Sequence, residues 1–225
     1  MGNGSVTSLV PVRSGAMGSA RASWEYAERW VAEDEALRNG RQRADEVGCV
    51  PIGPGGGAAL RLLAAALSAK SVIEIGTGTG VSGTWLLRGM RPDGVLTSID
   101  IEQEHQRLAR ATFAEAGFEG PRVRLICGAA LEVLPRFTEG AYDLLFIDAL
   151  KAEYPEYLVE GLRLLRPGGV VAVDNALWHD KVADPDEDDP DTQAVRSLLE
   201  TAAVDTGLVS ALLPVSDGLL VAVKS

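Results

Sequence analysis

The sequence predicts an α/β fold, a mainly parallel sheet covered on both faces, with an antiparallel strand at one side. Three observations carry this prediction. Short apolar runs alternate with helix-length segments from Ser71 onward. Three of those runs end in an acid, and a glycine-rich turn joins the first run to a helix. Continuous apolar strands separated by helices imply crossover connections and a sheet buried on both sides.

The first 22 residues are rich in glycine, serine and small side chains and read as a flexible tail. The apolar stretch 6–12 is interrupted by Ser8 and Pro11 and has no basic leader, so a signal peptide is not expected. Residues 23–225 read as one domain. Ser23 is placed to cap a helix from Trp24, with Trp24, Ala27, Trp30 and Val31 at helical spacing as a core or dimer stripe. Gly40 is expected to interrupt that helix, which resumes over 41–47. Residues 52–57 read as a loop because four of the six are glycine, and a helix follows over 58–67.

Strands are predicted over 72–75, 95–99, 123–126, 144–147, 170–173, 209–213 and 219–223. Helices fit over 82–89, 103–116, 131–137 and 154–165. Only Pro214 to Gly218 separate the last two strands, so they form a hairpin. The acidic run from Asp184 to Asp191, punctuated by prolines, reads as a solvated loop placed where a lid would be.

At 225 residues and 46% hydrophobic content the chain can bury an ordinary core without staples. A net charge of −11 argues against nucleic acid and against an anionic membrane surface as partners. No apolar run approaches the roughly 20 residues that span a bilayer. Cys49 and Cys127 stand far apart in no metal-ligand spacing, which fits a reduced, cytoplasmic protein.

The chemistry-bearing residues gather at predicted strand ends. Ligands of open α/β sheets bind outside the carboxyl ends of the strands. There the chain places Asp148, with Lys151 three residues on, and the pair Asp174-Asn175. Two carboxylates and a carboxamide suit a hard cation such as Mg²⁺ (or Mn²⁺ or Ca²⁺). Gly76-Thr77-Gly78-Thr79-Gly80 closes the first strand and opens a helix, where backbone N–H groups approach a ligand. Gly78 to Gly83 matches the dinucleotide G-x-G-x-x-G pattern, and Asp100 ends the second strand where an acid holds ribose hydroxyls.

Those glycines alone fit either NAD or S-adenosylmethionine (SAM). Glu74, two residues before Gly76, suits a cofactor with a cationic amino-acid portion. The chain also lacks a separate substrate domain, and the acid–amide set has no role in simple hydride transfer. The alternatives are a NAD(P)-dependent short-chain oxidoreductase and a non-catalytic SAM-binding domain. Against the first, neither Tyr154 nor Tyr157 has a lysine four residues on.

The motifs Ile73 to Gly80, Ser98-Ile99-Asp100, Phe146-Ile147-Asp148-Ala149-Leu150-Lys151, Leu164 to Gly169 and Asp174-Asn175-Ala176-Leu177-Trp178 resemble those of the cation-dependent O-methyltransferases, the catechol and caffeoyl-CoA enzymes and their bacterial relatives. The resemblance spans residues 51–224. It implies a doubly wound, Rossmann-like SAM-dependent methyltransferase fold of seven strands, one of them reversed, and a homodimer acting on a small phenolic vicinal diol. It further implies Asp148, Asp174 and Asn175 as cation ligands and Lys151 as base or anion stabiliser. Ile52, Glu74, Gly76, Gly78, Ser82, Asp100, Ala130 and Asp148 would border SAM. Trp178 would wall the substrate pocket, and His179 stands beside it. Leu150 and Asp180 depart from the family's frequent Asp and Gly, and Leu220 stands where the animal catechol enzymes carry a glutamate.

Overall fold

The computed structural model describes residues 16–225. The chain runs α1 (Ala16–Glu28), α2 (Glu35–Val47), α3 (Pro54–Ala66), β1 (Ser71–Ile75), α4 (Val81–Gly89), β2 (Val95–Asp100), α5 (Gln103–Glu115), β3 (Val123–Cys127), α6 (Ala130–Val133), β4 (Tyr142–Ile147), α7 (Tyr154–Leu164), β5 (Leu165–Val173), α8 (Pro190–Val204), β6 (Leu208–Leu213) and β7 (Leu219–Lys224). One seven-stranded sheet has the order β3-β2-β1-β4-β5-β7-β6. Strands β1 to β5 pair in parallel, and β7 runs antiparallel to both β5 and β6. The chain order therefore reverses between β1 and β4, the crevice where open sheets bind ligands.

Side chains alternate across each strand. Ile73, Ile75, Leu145, Ile147, Val171 and Val173 meet Leu158 of α7 and Val195 and Leu198 of α8 on one face. Val72, Leu144, Phe146 and Ala172 meet Leu60 of α3, Leu86 of α4 and Phe113 of α5 on the other. Glu74 shares the parity of Val72 and points to that second, helix-covered face.

Several local expectations change. The helix expected from Trp24 begins at Ala16, so Ser23 is interior to it and residues 16–22 are helical rather than tail. The tail expected over 1–15 lies outside the described residues. Helix α2 passes straight through Gly40, because a Cβ there would stand 3.0 Å from Thr112 and 3.1 Å from Val81. The break lies before Glu35, where the Asp34 carboxylate accepts from Leu37 N at 3.2 Å. Glycines 55–57 belong to α3, started by Pro54 at its first turn. They are small for packing: a Cβ on Gly57 would lie 2.4 Å from the Trp85 indole.

Helix α8 follows the acidic run, with Asp189 as its N-cap and Pro190 in its first turn. Arg196 of α8 donates to the carbonyl oxygens of Val182 (3.1 Å), Lys181 (2.9 Å), Glu187 (2.6 Å) and Asp184. One guanidinium thus pins residues 181–187. Charge-assisted hydrogen bonds contribute about 1.5–3 kcal/mol each where buried. Arg196→Ala is expected to raise amide hydrogen exchange over 181–187 at least about tenfold, since roughly 1.4 kcal/mol is a factor of ten. Unchanged exchange would show that the loop holds itself.

Candidate active site

A cavity of about 390 Å³ opens over the carboxyl ends of β1, β2 and β4. Gly76, Gly78 and Ser82 line it after β1, Asp100 after β2, Ala130 after β3 and Asp148 after β4. The turn itself is built for close approach: Gly76, Gly78 and Gly80 all have positive φ, a region that costs side-chain-bearing residues energy. Asp100 organises that turn. Its Oδ2 accepts from Thr77 N at 3.0 Å and Gly78 N at 2.9 Å, and its Oδ1 accepts from Glu102 N at 2.8 Å. His105 also lines the cavity, with its Nδ1 3.4 Å from Asp100 Oδ2.

Two residues expected on the cofactor lie elsewhere. Ile52 turns into the core beneath α3, and its carbonyl accepts from Arg41 at 2.8 Å; Cys49, Val50 and Pro51 face the cavity instead. Glu74 is fully buried behind the lining. Its Oε1 accepts from Ser82 Oγ at 2.6 Å and its Oε2 from Ser98 Oγ at 2.5 Å. Burial, with smaller contributions from Asp148 and Asp100, pushes its carboxyl up to about 7 against the pull of the two serines.

The second group adjoins the cavity through Asp148. Lys151 Nζ donates to Asp148 Oδ1 and to the Ala149 carbonyl, both at 3.1 Å. Its ammonium lies 4.8 Å from the Tyr154 ring centre and 5.4 Å from that of Trp178. Asp174 is buried, and among the described residues its Oδ1 has no hydrogen-bond partner. Burial and the nearby Asp148 push the Asp174 carboxyl well above the usual range. Burial also raises Asp148, opposed by Lys151. Among the described residues, no group of three or more His, Cys, Asp and Glu side chains has metal-holding geometry; two aspartates with one asparagine form a smaller set.

The segment after β5 is backbone-strained, with positive φ at Asn175, Trp178, His179 and Asp180. Asp180 adopts the left-handed region that glycine takes freely, which explains how the two can share this position. Asp217, in the β6–β7 turn, holds the segment. Its Oδ1 accepts from His179 N at 2.8 Å, its Oδ2 accepts from Asn175 Nδ2 at 3.4 Å, and His179 Nδ1 lies 3.3 Å from Oδ2. Trp178 and His179 stack with ring centres 5.1 Å apart. Asp217 was missed from sequence; the signal was its place two residues before β7, which pairs with β5 and so returns beside Asn175.

No described helix is long and apolar enough to cross a membrane, and Cys49 and Cys127 are both free.

Comparison with known proteins agrees with this geometry. A family model described as O-methyltransferase matches residues 31–225. A Mycobacterium tuberculosis protein named as an O-methyltransferase is 50% identical over 201 residues, covering 89% of this chain and 90% of its own. A Mycolicibacterium smegmatis relative so named is 47% identical over 206 residues, with 92% and 98% coverage. Among solved structures, the O-methyltransferase TomG from Streptomyces achromogenes in complex with SAM matches with TM-score 0.81 and 33% identity, covering 91% of this chain and 98% of that one. The Bacillus cereus O-methyltransferase in complex with SAH, demethylated SAM, also has TM-score 0.81, at 28% identity, with 91% and 97% coverage. The glycine turn, Asp100 and the cavity across the β1–β4 crevice thus belong to a SAM-dependent enzyme, and the chain is a member of the O-methyltransferase family.

Proposed function

We propose that this enzyme methylates one hydroxyl of a small catechol-like aromatic, using a divalent cation, Mg²⁺ or else Mn²⁺ or Ca²⁺, held by Asp148, Asp174 and Asn175. The observation that carries the reading is Asp174 Oδ1, a buried carboxylate oxygen with no donor, beside a second carboxylate. Buried polar atoms are nearly always partnered, and two neighbouring acids repel unless a cation lies between them. The donor set is hard oxygen and fits such an ion. When bound, the cation lends Lewis acidity that favours a phenolate over a phenol of pKa near 10 and fixes its direction.

The protein's own residues do the rest. Asp217 engages the Asn175 amide nitrogen, leaving the carbonyl oxygen free to coordinate. Lys151 is held by a carboxylate, a carbonyl and two aromatic faces, contacts that an ammonium makes best. We assign it to stabilising the developing phenolate. Trp178 and His179 border the substrate side, and the glycine turn orients the sulfonium that supplies the methyl group. The exposed aromatics Tyr26 and Trp30 of the α1 region support a homodimer, and the two free thiols support a cytoplasmic enzyme; the acidic charge gives nucleic acid and membranes no foothold.

The test compares a catechol with its single-hydroxyl analogue, with and without chelator. Turnover is expected to vanish in chelator, return with Mg²⁺ and favour the vicinal diol. Asp174→Ala should abolish cation-dependent turnover, keep SAH affinity within about threefold and leave the denaturation midpoint no lower, because removing one acid relieves repulsion. Full activity in chelator would sink the metal reading.

A further inference from the structure

Behind the glycine turn lies a chain of hydroxyls ending on a buried acid. Thr77 Oγ1 lies 2.7 Å from Ser98 Oγ, Ser98 donates to Glu74 Oε2, and Ser82 donates to Glu74 Oε1. Thr77 and Ser82 line the cofactor cavity, whereas Glu74 and Ser98 are fully buried behind them. Among the described residues, no cation touches this network. Of the elements packed on Glu74, β2 contributes Ser98 and the charge of Asp100, β4 the charge of Asp148, and α4 only Ser82 and Gly83; a Cβ on Gly83 would lie 3.0 Å from Glu74 Oε2.

A hydroxyl has one proton to give. While Glu74 is ionised it accepts from both serines, so Ser82 turns only lone pairs toward the cavity. Ser98, its own proton committed, accepts from Thr77. A protonated Glu74 must instead donate to one serine, and that serine's proton is released. The cavity wall then presents a donor where it had presented an acceptor. We propose that Glu74 acts as a positioning residue, setting the direction of the Thr77–Ser98–Glu74–Ser82 chain, and so makes the site for the cofactor's cationic amino group responsive to pH. This rests on the reading that the amino-acid end of SAM lies beside Ser82.

Burial lifts the Glu74 carboxyl to about 7, which puts the switch near neutral pH. An ammonium ligand favours the ionised form, so binding expels a proton and affinity rises with pH until Glu74 is fully ionised. Linkage to one group of pKa about 7 gives roughly a tenfold gain in affinity between pH 6 and pH 8. Asp100, His105, Cys49 and Asp148 also border the cavity. A ligand without the amino-acid portion keeps the contribution of these residues apart from that of Glu74.

Calorimetry with SAH and with 5′-methylthioadenosine, from pH 5.5 to 8.5, tests the proposal. SAH affinity is expected to rise about tenfold from pH 6 to pH 8, with about one proton released at pH 6 and none at pH 8.5. Methylthioadenosine affinity should stay flat. Glu74→Gln and, leaving the acid in place, Ser82→Ala should each flatten the SAH profile. Infrared spectra should show a buried protonated carboxyl band in the free enzyme at pH 6 that SAH removes, so an ill-folded variant does not block the answer. A flat SAH profile, equal slopes for both ligands, or a steep profile surviving in Ser82→Ala would overturn the switch while leaving the methyltransferase reading intact. No SAH binding at any pH would overturn both.

Discussion

Lys151→Met is expected to slow methyl transfer by about 10²–10³, the loss typical when one preorganised electrostatic contact to a developing anion is removed. SAH affinity should change less than about threefold, since Lys151 does not line the cofactor cavity. The side chain is held at four points, so the ammonium needs no reorganisation as charge develops on the substrate oxygen. Single-turnover rates at saturating substrate measure the effect. Lys151→Arg separates two roles: a cation without a removable proton should recover part of the rate if stabilisation dominates, and none if proton removal does. A loss below about threefold in the methionine variant would make Lys151 a bystander.

The parallel sheet was legible because its central strands are buried on both faces, so 144–147 and 170–173 read as unbroken apolar runs and 72–75 is interrupted only by Glu74. Residues 72–75 and 144–147 needed no knowledge of their partners. Positions whose meaning is set by another element were not legible. Gly40 looks like a helix breaker until Thr112 and Val81 are seen against it, and glycines 55–57 look like loop until Glu28, Ile52 and Trp85 are packed on them. Helix α8 hid behind a run of acids, though Asp189-Pro190 carries a cap and a first-turn proline. Strand β5 starts at Leu165, earlier than its apolar run at 170, because it continues through Pro167-Gly168-Gly169 across a register shift against β4.

At the site, residues fixed by a strand end were readable: Asp100, Asp148 and Asp174 each lie where the preceding apolar run stops. Glu74 shows the limit. Its proximity to Gly76 marked it as a cofactor contact, yet its strand parity with Val72 turns it away from the cavity and onto Ser82 and Ser98. Asp217 depends on β7 returning beside β5, a pairing between segments about 45 residues apart that local pattern does not reveal.

Gly76→Ala should be among the most damaging single-methyl additions in the chain. Gly76 has φ +96°, and a Cβ there would lie 1.8 Å from the Asp148 carbonyl oxygen. Both groups are backbone, so neither can rotate away. Relief requires β1 and β4 to part at their carboxyl ends, where Asp148 N is tied to Ile75 O at 2.9 Å, while Gly76 N on the other side ties β1 to β2 through Ile99 O at 2.9 Å. Overpacking and left-handed strain together are expected to lower stability by about 3–5 kcal/mol. Gly140 is the control: its φ is +64°, but among the described residues nothing lies within 4 Å of where a Cβ would stand. Gly140→Ala should therefore cost only the conformational strain, about 1–2 kcal/mol. Urea denaturation gives both values, and calorimetry with SAH should show binding lost in the first variant and retained in the second. Equal midpoints would mean that the β1–β4 crevice yields more easily than its hydrogen bonds imply, and the cofactor site could then not depend on that close backbone approach.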